Sequence, residues 1–234
     1  SSTMFELLSF VIPVLLLLQV LYLDLHNNMK ENDSVSATKL SQDGYVKTAS
    51  HNYVSRQSFI HGAKNVEMKG KSIIHPNAHI RGDLTSIRIG RYCSIGENTI
   101  IRPPSYQTSL IQNSNNNNNE NQLQFLPSLI GNHTRIGKDC IIESASIGSS
   151  VYIDDNCVIS KRVIIKDCCY VESGTVIAPD TVIPPFSRVG GCPGKILEAL
   201  EFSSSTFLPE SVAVTFVDDC VDNFSKFVKE LEEE

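Results

Sequence analysis

Isoleucine or valine returns at every sixth residue through most of this chain. From Ile147 the beat runs without a miss through Ile153, Ile159, Ile165, Val171, Ile177, Ile183 and Val189. It is present earlier at Val54, Ile60 and Val66, and resumes at Ile74 and Ile80 after a two-residue slip. A longer step through "RGDLTSIR" leads to Ile89, Ile95 and Ile101, and the beat returns at Ile130, Ile136 and Ile142 before a five-residue step to Ile147. A period of six matches neither the helical repeat of 3.6 nor the strand repeat of 2. It is the mark of a solenoid built from hexapeptides.

The residues between the aliphatics agree. The fourth position after each one holds Cys93, Thr99, Thr134, Cys140, Ser146, Val151, Cys157, Val163, Cys169, Thr175, Thr181 or Ser187, all small or β-branched. Glycine follows the aliphatic at 90, 96, 131, 137 and 148. In a parallel β-helix each hexad makes one short strand and one corner, and three hexads close a triangular coil. The aliphatic fills the prism, the position four residues on is confined, and a corner glycine avoids a costly Cβ. About twenty hexads give six or seven coils. The expected fold is all-β, a parallel β-helix over residues 45–194.

Three segments stand outside the repeat. Residues 1–44 begin with an apolar stretch at 7–23, near the minimum length for a membrane span, and continue into a polar, breaker-rich linker. Glu6 and Asp24 flank the stretch and no Lys or Arg precedes it, whereas a signal or an oriented span carries nearby positive charge. Two readings stay open: a true anchor or signal, or translation that starts at Met29. Residues 103–128 interrupt the beat with "NSNNNNNENQ", a polar tract that reads as a loop ejected from one corner. Residues 195–234 change period. Val212, Phe216, Val217, Cys220, Val221, Phe224, Phe227, Val228 and Leu231 fall at steps of three and four, an amphipathic helix with Pro209 suited to its first turn. Its apolar side is expected along a flank of the solenoid, with fraying at the final glutamates.

Bulk properties exclude some functions. The net charge of −6 over 234 residues offers no basic field for nucleic acid. The seven cysteines show neither zinc-pair spacing nor a secreted disulfide framework, and the adjacent Cys168 and Cys169 suit reduced thiols in the cytosol.

The stretch "IGRYCSIGENTIIRPPS" and its neighbours carry two resemblances to enzymes. "IRGDLTSIRIGRYCSIGENTII", with the five-residue step at Ile142, is similar to gamma-class carbonic anhydrases, and that likeness implies the left-handed form of the helix. Those enzymes hold zinc with three histidines contributed by neighbouring subunits. In the repeat register the ligand positions here are Arg102, Lys138 and Glu143. None is a histidine and two are cations, which repel a metal ion. The assisting Gln–Asp pair falls at Gly96–Glu97. Arg81 and Asp83 remain, and the resemblance implies that they form a structural ion pair at a subunit interface. "IGRYCSIGEN" also resembles hexapeptide acyltransferases, which need a histidine base in the loop that follows. Residues 103–128 contain no histidine; His133 lies on the coil, and His61, His75 and His79 fall in early coils as surface residues. Cys93, Cys140, Cys157 and Cys169 read as packing residues, and Cys168 and Cys192 have no histidine in register with them.

A more specific resemblance covers residues 45–194. "KTAS…VSRQS", "HIRGDL", "IRPP", "ASIGS", "VIIKDCC" and "VIPPF…GCPG" are similar to the β-helical pointed-end subunits of dynactin, and many of these marks are not demanded by the hexad. That family implies a structural, adaptor-type subunit without catalysis, cofactor or metal. Its implied partners are the other pointed-end subunits, including a second β-helical subunit and an actin-related protein, and indirectly the membrane cargo of dynein. The implied setting is the cytoplasm and cytoskeleton. Arg102, Pro103, Pro104, Cys192 and Pro193 are the partner-binding candidates.

Overall fold

A computed structural model describes residues 44–108, 122–197 and 209–233. The expectations for the apolar stretch at 7–23, the linker before Gly44 and the Asn-rich centre of the loop fall outside the described residues.

The hexads form a left-handed parallel β-helix with three flat faces. Face 1 contains Tyr53–Ser55, Ile73–Ile74, Ser94–Ile95, Arg135–Ile136, Tyr152–Ile153, Tyr170–Val171 and Arg188–Gly190 in parallel order. Face 2 runs from Phe59–His61 through His79–Arg81, Ile100–Ile101, Ile141–Ile142 and Val158–Ile159 to Val176–Ile177. Face 3 runs from Val66–Gly70 through Ile87–Arg91, Ser128–Ile130, Ser146–Ile147 and Ile164–Ile165 to Val182–Ile183. Equivalent aliphatics stack in register, as in Ile101↔Ile142↔Ile159↔Ile177. These columns are out of solvent, with Ile142, Ile153 and Ile159 at 0% exposure. Each fully buried aliphatic contributes roughly 1.5–3 kcal/mol relative to an exposed one, so the prism is the main source of stability.

The small fourth position has a second role. Cys93 Sγ donates to Gly131 O (3.0 Å), Cys140 Sγ to Asp154 O (3.1 Å), Cys157 Sγ to Glu172 O (3.1 Å) and Cys169 Sγ to Pro184 O (3.1 Å). Thr99 Oγ1 and Thr134 Oγ1 donate in the same way to Gly137 O and Gly148 O. In every case the acceptor is the residue after the inward aliphatic of the next coil. A confined position that must also satisfy a buried carbonyl takes Cys, Thr or Ser in preference to Ala.

The glycines act through proximity more than through backbone freedom. A Cβ on Gly96 would lie 2.3 Å from Gly137 O, and one on Gly131 would lie 2.4 Å from the Gly148 carbonyl group. The left-handed backbone at the corners is carried by other residues, among them Asn77, Asn98, Asp139, Asn156 and Asp180, with φ between 54° and 59°. Asn and Asp tolerate that region best among residues with a side chain.

Two breaks in the beat have local causes. The slip after Ile60 is absorbed by the five-residue strand Val66–Gly70, where Met68 pairs with Ile89 and Val66 with Ile87. Met68 therefore stands in the column where the six-residue count placed Val66. At the five-residue step the shortened corner buries Ser144 completely, while Ser146 turns outward on its strand and is only half-buried.

Antiparallel strands close both ends of face 1. Tyr45–Lys47 pairs with Tyr53–Ser55 at the start, and Lys195–Leu197 pairs with Arg188–Gly190 at the end. The loop stems form a two-stranded ribbon, Ser105–Thr108 with Gln122–Phe125, held to the coils by Arg162 NH1 donating to Ser105 O at 2.9 Å.

The period change after the repeats becomes helix α1, Pro209–Glu232. It lies along face 1 and runs against the order of the coils. Phe216 meets Tyr152 (5.9 Å between ring centres), Phe224 meets Tyr92 (5.8 Å) and Tyr53 (5.8 Å), and Phe227 meets Tyr45 (5.1 Å). Cys220, Phe227 and Leu231 are buried in this seam.

His75 also lies in the seam. Its ring is 6.0 Å from that of Phe227, and one ring nitrogen is 3.3 Å from Ser94 Oγ. It is half-buried under the helix rather than displayed on the surface. Burial, with the nearby positive charges of Arg135 and Lys138, pushes its pKa down from 6.5 to about 4. The neutral ring is thus favoured in the folded state, so the folded chain binds fewer protons than the unfolded one between these values. Stability from this site is complete above about pH 6.5 and declines as pH falls toward 4. Because the ring keeps a partial view of water, we expect a loss of about 1–2 kcal/mol, less than the ~3 kcal/mol of the full shift. Denaturant titrations of the parent and of His75→Gln at pH 7 and pH 4.5 measure it. The variant should lose that part of the pH dependence, and an unchanged dependence would contradict the assignment.

Candidate functional site

Face 2 separates the three positions that correspond to enzyme ligands. Arg102 and Glu143 follow Ile101 and Ile142, which are paired on adjacent strands, so they meet at the corner between faces 2 and 3. Lys138 lies at the opposite corner, before Ile141–Ile142. The strand between the two corners keeps Lys138 from joining the other two within one chain.

The charges at these positions are satisfied within the chain. The Arg102 guanidinium pairs with the Glu143 carboxylate, whose side chain is 12% exposed. The Lys138 ammonium lies 4.0 Å from Glu97, at the position of the assisting acid in the anhydrase resemblance. Below Arg102 on the same corner, Arg81 makes a two-point bond with Asp83, Nε to Oδ1 and NH2 to Oδ2, both at 2.8 Å. That bond holds the Asp83 carboxyl below the usual carboxylate range. An arginine, a lysine and one committed carboxylate do not fit a zinc ion. Among the described residues no three His, Cys, Asp or Glu side chains are grouped to hold a metal.

The histidines are occupied in other ways. His133 stacks on Tyr92 (5.4 Å, 11°), and burial lowers its pKa below the ordinary histidine value. His79 stacks on Phe59 (4.5 Å, 13°), and His75 sits in the α1 seam. Two of the buried thiols, Cys93 and Cys220, are also poorly suited to nucleophilic work. Burial pushes Cys93 up to about 11 and Cys220 up to about 12, so both stay protonated at neutral pH. Of the partner-binding candidates, Arg102, Cys192 and Pro193 are exposed, whereas Pro103 and Pro104 are buried in this chain's own loop stem. Reading the sequence missed the outward residues of face 2, Glu97 as the partner of Lys138, and the rings that seat α1. Only the run of aromatics at helical spacing hinted at the last.

The model of the family described as "Dynactin subunit 5" matches residues 36–230 of this chain. The chain belongs to the dynactin subunit 5 family. It is 40% identical to dynactin subunit 5 of Dictyostelium discoideum over 105 residues, which is 45% of this chain and 48% of that protein. It is 22% identical to the mitochondrial gamma carbonic anhydrase 2 of Arabidopsis thaliana over 143 residues, 61% of this chain and 46% of that protein. The chain thus spans about half the length of the curated relatives it matches. Among solved structures, a hexapeptide transferase family protein from Anaplasma phagocytophilum superposes with a TM-score of 0.50 at 15% identity, over 74% of this chain and 89% of that one. At that identity the likeness speaks for the solenoid alone. Membership of the dynactin subunit 5 family agrees with a site whose ligand positions carry internally paired charges. No helix among the described residues is long and apolar enough to cross a membrane.

Proposed function

We propose that this chain is a non-catalytic structural subunit at the pointed end of dynactin's actin-like filament. In this reading it joins a second β-helical subunit and an actin-related protein, and the assembly helps dynein engage membrane cargo in the cytoplasm. The observation that carries the reading is the family match across residues 36–230. The ion pairs Arg102–Glu143 and Lys138–Glu97 support it, because Arg102, Lys138 and Glu143 stand where related enzymes place donors for zinc. The rigid, flat faces of a β-helix suit extended docking surfaces. Exposed Arg102, Cys192 and Pro193 remain the proposed contacts from the sequence; buried Pro103 and Pro104 would act by shaping the stem beside Arg102.

The test is isolation of the native protein under mild conditions, with its partners identified and its metal content measured. Co-purification with actin-related and β-helical subunits at fixed stoichiometry, with no bound zinc and no CO₂ hydration, is the expected result. Stoichiometric zinc with hydration activity, or recovery of the chain without dynactin subunits, would overturn the proposal.

A further inference from the structure

Helix α1 carries two apolar stripes. The first is the seam already described, in which Phe216, Cys220 and Phe227 face the coils. The second reads Val214, Val217, Val221, Phe224, Val228 and Leu231. These residues fall at alternating steps of three and four, the a and d positions of a heptad. Val217, Val221 and Val228 each follow a seam residue directly, so they lie roughly 100° around the helix from it. The coils reach this stripe only in part. Val214 is 57% exposed, and Val217, Val221 and Val228 are half-buried. Phe224 touches Tyr53 and Tyr92 and forms the boundary between the stripes.

We propose that the second stripe docks a single basic amphipathic α-helix of another protein, laid alongside α1. The proposal goes beyond the function proposed above and does not depend on it. Periodicity is the first argument. A strict a/d stripe is the narrow seam of helix pairing, and its repeat of about 3.5 residues stays in line with a neighbouring helix over several turns. Val214, Val221 and Val228, at the a positions, are all β-branched, and Leu231 stands at d. That choice favours two strands over three or four, so the occupant is one helix.

Charge is the second argument. Asp218, Asp222 and Glu232 are exposed along the outer margin of the stripe, against the one cation Lys229 among the described residues of that margin. A helix with lysine or arginine beside its own apolar row meets complementary charge there. A second α1 would set the same carboxylates against each other, which disfavours a pair of copies of this chain. An anionic lipid surface is disfavoured for the same reason. Rigidity is the third argument. The rings of the first stripe already hold α1 in place, Phe216 on Tyr152 and Phe227 on Tyr45, so only the incoming helix has to be ordered on binding.

The experiment uses the full chain and a fluorescein-labelled synthetic peptide of about four heptads, with Val at a, Leu at d and Lys at e and g. Like charge at e and g keeps the peptide from pairing with itself. A second peptide carries Glu in place of Lys, and fluorescence anisotropy reads binding. The expected result is saturable binding of the Lys peptide at micromolar concentration, and binding at least tenfold weaker for the Glu peptide. Val217→Glu combined with Val221→Glu should weaken binding of the Lys peptide at least tenfold, while hydrogen exchange shows α1 still seated by Phe216 and Phe227. Asp218→Lys combined with Asp222→Lys should reverse the preference between the two peptides. These two positions are exposed, so the reversal is read on a folded chain even where the valine variants loosen α1. No binding of the Lys peptide, equal binding of both peptides, or a preference untouched by the charge reversal would overturn the proposal. So would self-association of the chain that Val221→Glu abolishes, because the occupant would then be a second copy.

Discussion

Ile159→Asp is expected to abolish the folded solenoid. Ile159 has no exposed surface and stacks between Ile142 and Ile177 in the column behind face 2. Its column neighbours are apolar, and among the described residues no Lys, Arg or His is buried in the core, so a carboxylate there has neither water nor a charged partner. An unpaired buried charge, or the protonation needed to neutralise it, costs several kcal/mol. Native domains hold only about 5–15 kcal/mol in reserve. The adjacent Val158→Asp places the same group on the outer side of the same strand, where Val158 is only half-buried. It should remain folded. Far-UV circular dichroism and thermal melts of the two variants read the difference. A soluble Ile159→Asp protein with the parental melting transition would show that this residue does not face the prism.

Phe227→Ala is expected to release α1 while the coils persist. Phe227 contacts the rings of Tyr45, Tyr53 and His75 at 5.1, 5.6 and 6.0 Å, so one side chain ties the helix to the first coils. Loss of a buried phenylalanine costs about 3–5 kcal/mol. The coils do not need the helix to complete their ladder, because their hydrogen bonds run from coil to coil, as from Tyr152 N to Cys169 O at 2.9 Å. Hydrogen exchange should show amides of α1 losing protection with those of Val158–Ile159 and Ile164–Ile165 unchanged. Simultaneous loss of protection in both would mean that helix and solenoid form one cooperative unit.

Much of the solenoid was legible because a β-helix is a local code. Each hexad contributes one strand to one face, so the inward residue at 153, 159 or 165 follows from counting alone. The count fails where successive inward residues are more than six apart, as from Ile60 to Met68. Val66 was expected in the column that Met68 occupies, since the five-residue strand Val66–Gly70 takes up the extra residues by pairing with Ile87–Arg91. The candidate site was legible only through the resemblance to gamma-class carbonic anhydrases. That resemblance, read in the repeat register, singled out Arg102, Lys138 and Glu143, but it treated them as separate charges. Their pairing depends on which residues of different coils come side by side: Arg102 and Glu143 are 41 residues apart and become neighbours through the stacking of Ile101 on Ile142.

The sequence by itself determined the repeat, the identity of the core and the presence of a separate amphipathic helix, because each depends on periodicity along the chain. Tertiary structure decided which face that helix covers, which histidine it covers, and which outward aliphatics, such as Ile141 and Leu129, stay exposed. Those outcomes depend on side chains from distant coils meeting across a surface. The outward residues of faces 1, 2 and 3 occupy the same position in the hexad, so nothing in the repeat distinguishes the face that α1 occupies from the two it leaves uncovered.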